Sequence, residues 1–264
     1  MPLGLSLHVA LNYLNPDAYG GWEGVLGGCE NDAHAWFGLA ARRGFNPSML
    51  LNESAHSQAV VEGILDAADR LGAGDIFLLT YSGHGGQVPD KNGDEDDGRD
   101  ETWCLFDRQL LDDEIFCSLS KFKPGCRIVV VSDSCHSGTI TRAAALEASS
   151  HTRLAPEYAC KANFDGIDSS VLDGIKGLPV AACELKCPVL LLSGCQDNQT
   201  SGDDGTMGVF SRAAMEVWGM GWTTGDYRLL RARIAAKLPT NQSPNLLTNG
   251  PGTKHLERQV PFTI

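Results

Sequence analysis

Four stretches of the chain are apolar without alternation and end in small or polar residues: LSLHVALNYL from Leu5, DIFLLTYSGHG from Asp75, RIVVVSDSCHSG from Arg127 and CPVLLLSGCQ from Cys187. Unbroken apolar runs of this length predict strands buried on both faces, as in a parallel sheet. Between them the period changes to that of helices. ENDAHAWFGLAARRGF offers Asn31 or Asp32 as an N-cap and Gly44 as a stop, and SQAVVEGILDAADRLGAGD sets Val61, Ile64, Leu65 and Ala68 on one stripe. Further helices are expected near 113–122, 207–217 and 227–238. Strands alternating with helices predict an α/β doubly wound sheet, where ligands gather at the carboxyl ends of the strands.

Two segments break this rhythm. Seven carboxylates fall between Asp90 and Glu101, and about thirty residues from Ala143 to Asp173 show little pattern, long for an ordinary connection. No repeat or domain boundary is visible. The expectation is one domain over 1–264: a first part to about 142, a loop over 143–173, and a second part over 174–264.

With 264 residues, 42% of them hydrophobic, the chain can bury a sizeable core unaided. No run approaches a membrane span, and the first residues read as a strand rather than an export signal. The net charge of -12 offers no basic stripe for nucleic acid. Nine cysteines, an odd number without CxxC pairs, suggest reduced thiols in a cytoplasm and no disulfide framework.

Two strand ends carry candidate chemistry. His84 follows one apolar run within a turn of glycines, and Cys135 follows another in a turn of small residues. If these strands are neighbours, thiol and imidazole meet at one sheet edge, where glycine-rich turns let backbone amides approach a reacting carbonyl. A thiol with an ordinary pKa near 8.5 needs such a partner, and the pair suits nucleophilic catalysis by cysteine. Asp133 shares a strand face with Cys135 and could meet a cation. His136, beside the nucleophile, is expected to point elsewhere. His84, Cys135 and His136 lack a fourth ligand at the spacing of a zinc site.

YSGHGGQVPD, followed about fifty residues later by DSCHSGT, resembles the metacaspase and bacterial orthocaspase branch of the caspase-like cysteine peptidases. ALNYLN, GCENDA, DGRDETW, LLDDEI and LLLSGCQDNQTSGD are similar to further segments of that family. The resemblance implies a caspase-like three-layer α/β fold with a mostly parallel central sheet. It implies a catalytic dyad of His84 and Cys135, an oxyanion hole from the amides near Gly85 and Cys135, and a pocket of Cys29, Asp32, Ser82 and Asp133. Two carboxylates there would favour Arg or Lys before the cut bond.

The family's calcium site maps to Asp100, Asp112 and Asp113, but its last acid corresponds to Arg142, which cannot ligate a cation. An EF-hand over 90–101 would place Glu95 where glycine is needed. No organic cofactor is required. Arg153 and Lys161 are candidate self-processing sites within 143–173. The implied partners are peptide or protein substrates with a basic residue before the cut and a separate regulatory protein, with the chain a monomer. The alternative is a caspase-like scaffold without catalysis, which would usually lack one dyad residue.

Overall fold

The computed structural model describes residues 1–90, 98–135, 152–167, 183–195, 201–219 and 225–264. In chain order these form β1 (Gly4–Ala10), α1 (Cys29–Arg42), β2 (Asn46–Leu51), α2 (Ser57–Arg70), β3 (Ile76–Ser82), β4 (Gly85–Pro89), β5 (Arg99–Cys104), β6 (Gln109–Leu111) and α3 (Asp112–Leu119). They continue as β7 (Arg127–Asp133), α4 (Glu157–Gly166), β8 (Val189–Ser193), α5 (Val209–Gly219), α6 (Tyr227–Ala235), β9 (Asn245–Asn249) and α7 (Thr253–Glu257).

The unalternating apolar runs are β1, β3, β7 and β8, the interior of a six-stranded sheet ordered β2-β1-β3-β7-β8-β9, parallel except for β9. Successive side chains enter opposite layers. Phe77, Leu79 and Tyr81 join Ile128, Val130 and residues of α2 and α3, whereas Ile76 and Leu78 join Val129, Val131 and residues of α1, α5 and α6. A small antiparallel sheet, β4-β5-β6, stands beside the main one. This is the expected α/β, caspase-like architecture of a mostly parallel sheet flanked by helices.

His8 lies buried in β1, its ring nitrogens 2.9 Å from Thr80 Oγ1 and Ser6 Oγ. Burial lowers its pKa from 6.5 to about 3. The unfolded chain therefore takes up a proton between those values that the folded chain refuses. Stability from this group is whole above pH 6.5 and falls as the pH drops toward 3, by up to about 4–5 kcal/mol. Melting temperatures of the wild type and His8→Gln, measured from pH 7 to pH 4, should converge as the solution is acidified; parallel curves would contradict this.

Three expectations are corrected. Helix α1 begins at Cys29 with Gly28 as its cap, so Asn31 and Asp32 lie inside it and Asp32 is buried. The segment 143–173 contains α4, whose Ala159, Cys160, Asn163 and Phe164 are buried; Asn163 accepts from the Gln109 amide and Gln109 donates to the Cys160 carbonyl. The cysteines are not all reduced: Cys117 of α3 and Cys183 form a disulfide with Cα atoms 5.2 Å apart. Their 66-residue separation leaves that proximity invisible in one dimension. The other seven cysteines are buried and outside any disulfide.

Candidate active site

Strands β3 and β7 are hydrogen-bonded neighbours with Ser82 beside Asp133, so His84 and Cys135 each sit two residues past a paired strand end. The histidine's turn is fixed from below. The Tyr81 hydroxyl lies 2.7 Å from the His84 carbonyl and 3.0 Å from that of Cys104, and its ring stacks on Trp103. His84 Nε2 lies 3.1 Å from the Gly24 carbonyl, a contact that requires the proton on Nε2. Nδ1, buried, has no hydrogen-bond partner among the described residues. Trp22 covers the ring at a centroid distance of 4.7 Å.

The Cys135 sulfur accepts the Ser201 amide at 2.9 Å and has the Cys195 thiol as a hydrogen-bonding neighbour. Burial, with Cys195 second, pushes the Cys135 thiol well above its ordinary pKa. Burial lowers His84 to about 4, the Gly24 carbonyl opposing and Arg153 adding to the effect. In this arrangement the sulfur keeps its proton and the imidazole is neutral.

The chain at Arg153 lies against both turns. The Arg153 carbonyl oxygen accepts from the Gly85 amide at 2.9 Å and the Cys135 amide at 3.3 Å. The two turns that supply these amides are in contact, for a Cβ on Gly85 would stand 1.9 Å from the Cys135 carbonyl oxygen. Around Arg153 the chain is extended. Thr152 bridges Gly202 antiparallel, the Arg153 amide donates to Ser201 at 3.1 Å, Leu154 bridges Gly85, and the Ala155 amide donates to Gly85 at 2.8 Å. This is the geometry of a peptide added as a strand between two edges.

The Arg153 side chain, 0% exposed, fills an anionic pocket. Its terminal nitrogens lie 2.7 Å from Asp32, 3.2 Å from Asp133 and 2.8 Å from Asp203, and one of them donates to Ser82 Oγ at 2.7 Å. Burial works against the guanidinium charge, but Asp133, Cys29, Asp32 and Asp203 outweigh it and hold its pKa well above the ordinary value. Burial pushes Asp32 up to about 6 while Arg153 pulls it down, and burial pushes the Cys29 thiol up to about 12. The pocket acids are backed by donors: the Gly208 amide on Asp32, and the Ser201 hydroxyl with the Ser211 amide and hydroxyl on Asp133.

The structure thus gathers Cys29, Asp32, Ser82, His84, Gly85, Asp133 and Cys135, together with Arg153. Asp203, Ser201, Ser211 and Gly24 were not foreseen. Lys161 lies elsewhere, exposed on α4 and paired with Asp165. Asp100 is buried in β5, and Asp112 and Asp113 open α3. Among the described residues no three His, Cys, Asp or Glu side chains converge as a cation site. His136, Arg142 and most of the 90–101 acidic run lie outside the described residues. No helix among the described residues is long and apolar enough to cross a membrane.

Comparison with known proteins gives the family. The model of the family "Metacaspase, peptidase C14 domain" matches residues 6–143. Metacaspase-1 of Yarrowia lipolytica is 32% identical over 254 residues, covering 80% of this chain and 54% of the relative. Metacaspase-4 of Arabidopsis thaliana is 35% identical over 131 residues, 46% of this chain and 31% of the relative. The chain spans about half the length, or less, of such curated relatives. A crystal structure of a Geobacter sulfurreducens protein superimposes with a TM-score of 0.88 at 41% identity, over 100% of this chain and 99% of that one. Strand-end cysteine and histidine, acidic pocket, fold and sequence match converge: the chain belongs to the metacaspase family and carries its peptidase C14 domain.

Proposed function

We propose that the chain is a cysteine endopeptidase that hydrolyses peptide bonds after arginine or lysine, and that its own Arg153–Leu154 bond is its first substrate. One observation carries this reading: the Arg153 carbonyl rests on the amides of Gly85 and Cys135 while its guanidinium lies among Asp32, Asp133 and Asp203. A backbone carbonyl held by two amides beside a thiol is arranged as an acyl group about to be attacked. Lys161 would first have to leave its helix, so Arg153 is the favoured processing site.

The chemistry follows from the protonation states. Since the thiol keeps its proton and His84 Nδ1 is unprotonated, the proton passes from sulfur to Nδ1 as the Cys135 sulfur bonds the Arg153 carbonyl carbon. The two amides hold the oxyanion. Nδ1 then gives its proton to the Leu154 nitrogen as the C–N bond breaks. Water hydrolyses the thioester, releasing the Arg153 carboxylate and restoring the thiol. Each proton taken up is returned, and no organic cofactor takes part.

None of these steps is routed through calcium at Asp100, Asp112 and Asp113. The reading takes the chain as a monomer acting on basic protein segments under the control of a separate regulatory protein. Fluorogenic peptides ending in Arg, Lys or Asp, assayed with calcium and with EGTA, test it. Turnover is expected on basic peptides, at least about a hundredfold above the Asp peptide given the anionic pocket, and is expected to persist in EGTA. A pure chain that releases no product from basic peptides in any buffer, and leaves Arg153–Leu154 intact, would refute it.

A further inference from the structure

The pocket is more exacting than a preference for positive charge requires. The two terminal nitrogens of the Arg153 guanidinium carry four hydrogens, and four acceptors await them. One nitrogen donates to Ser82 Oγ at 2.7 Å and the Asp133 carbonyl at 2.9 Å, the other to Asp32 Oδ2 at 2.7 Å and Asp203 Oδ2 at 2.8 Å. The acceptors thus form two pairs, one for each tip of a planar fork.

Asp203 completes the second pair, and it is held in place by groups other than the guanidinium. Its Oδ1 accepts the Gly205 amide at 2.8 Å, its Oδ2 accepts the Gly28 amide at 3.2 Å, and it is 4% exposed. The contact between these segments admits no extra atom, since a Cβ on Gly28 would stand 2.6 Å from Met207. A carboxylate so anchored does not follow a smaller cation.

We propose that Asp203 makes this a guanidinium pocket rather than a general cation pocket, so that arginine is selected over lysine before the cut. The inference rests on the reading that the pocket receives the residue preceding the cleaved bond. A lysine ammonium offers three hydrogens on one atom. Placed between Asp32 and Asp203, it leaves Ser82 Oγ without its donor and the Asp133 carbonyl with only the Gly83 amide at 3.5 Å. Placed at those two, it leaves the buried Asp32 and Asp203 without the direct cation contact that Arg153 makes. An unanswered buried acceptor corresponds to about tenfold to a hundredfold in affinity. Asp203 belongs to a segment beyond the family match, which ends at residue 143.

Two measurements test this. The first is the ratio of kcat/KM for paired Arg and Lys peptides, in the wild type and in Asp203→Asn. Both peptides are read in one preparation, so the ratio is independent of how much of the variant folds. The wild-type ratio is expected to be about a hundred and the variant's about tenfold lower. The second uses full-length Arg153→Ala, whose pocket is vacated, titrated with agmatine or 1,5-diaminopentane and read by thermal shift. Agmatine should bind and the diamine should not, and Arg153→Ala/Asp203→Asn should lose the distinction. Because this second measurement needs no turnover, a chain that cuts no peptide yet separates the two amines refutes the peptidase reading alone. An unchanged Arg:Lys ratio in Asp203→Asn, equal binding of the two amines, or binding of neither overturns the role given to Asp203.

Discussion

Replacing Cys135 by alanine is expected to leave the chain whole at Arg153 and to lower hydrolysis of basic peptides by at least about four orders of magnitude. In the proposed reaction its sulfur is the nucleophile, and its own backbone amide is one of the two that hold the Arg153 carbonyl. The neighbouring Cys195 thiol lies on the Ser134 carbonyl at 3.4 Å, in a different backbone setting, and is not expected to substitute. What the variant loses structurally is small. The sulfur's contacts are to the Ser201 backbone and the Cys195 thiol, and deleting one such buried atom costs about 1 kcal/mol. Mass spectrometry of the purified chain, active-site titration and a melting curve read the three consequences separately. Residual peptide hydrolysis above about one part in a hundred, with normal melting, would remove Cys135 from the chemistry.

The second large effect is that of Arg153→Ala on the thiol. With the guanidinium and its extended strand in place, Cys135 is buried and its proton firmly held. Without the side chain that anchors the strand, solvent reaches the site, and alkylation of Cys135 by iodoacetamide should accelerate at least about a hundredfold as desolvation is relieved. The variant also leaves three buried carboxylates without their cation, which costs about 3–5 kcal/mol. That cost has a definite pH dependence. Asp32 is already raised to about 6 with Arg153 present, and loses its main offsetting charge in the variant. A carboxyl whose folded pKa lies above its unfolded value is fully stabilising below the unfolded pKa and loses that contribution as the pH rises through the folded one. The melting gap between variant and wild type should therefore be widest at pH 7 to 8 and narrow toward pH 4. Equal alkylation rates, or a gap that widens in acid, would show that Arg153 does not cover the site.

Much of the frame is legible in one dimension, because strands buried on both faces have no polar face to alternate with. The runs of β1, β3, β7 and β8 declare themselves in this way, and each strand end that carries chemistry is marked by small residues. Asp32 misleads for a physical reason. An acid near a helix start reads as a cap, but α1 is capped four residues earlier by Gly28, and Asp32 turns inward to serve Ser82, Gly208 and Arg153. In the sequence Arg153 is only a basic residue in unpatterned chain; that it lies in the pocket depends on pairing with Gly85 and Ser201, which no local pattern encodes. Asp203 closes the segment LLLSGCQDNQTSGD. It ends a third segment built as an apolar strand followed by small residues, the same design as the turns of His84 and Cys135, and that shared design was the signal.

The disulfide between Cys117 and Cys183 joins residues on opposite sides of Arg153, as does the pairing of β7 with β8. Scission there would sever the backbone and leave the particle undivided: one peak on a sizing column, and one band in a denaturing gel until a reductant is added. Asp203 would remain welded to the half that bears the thiol.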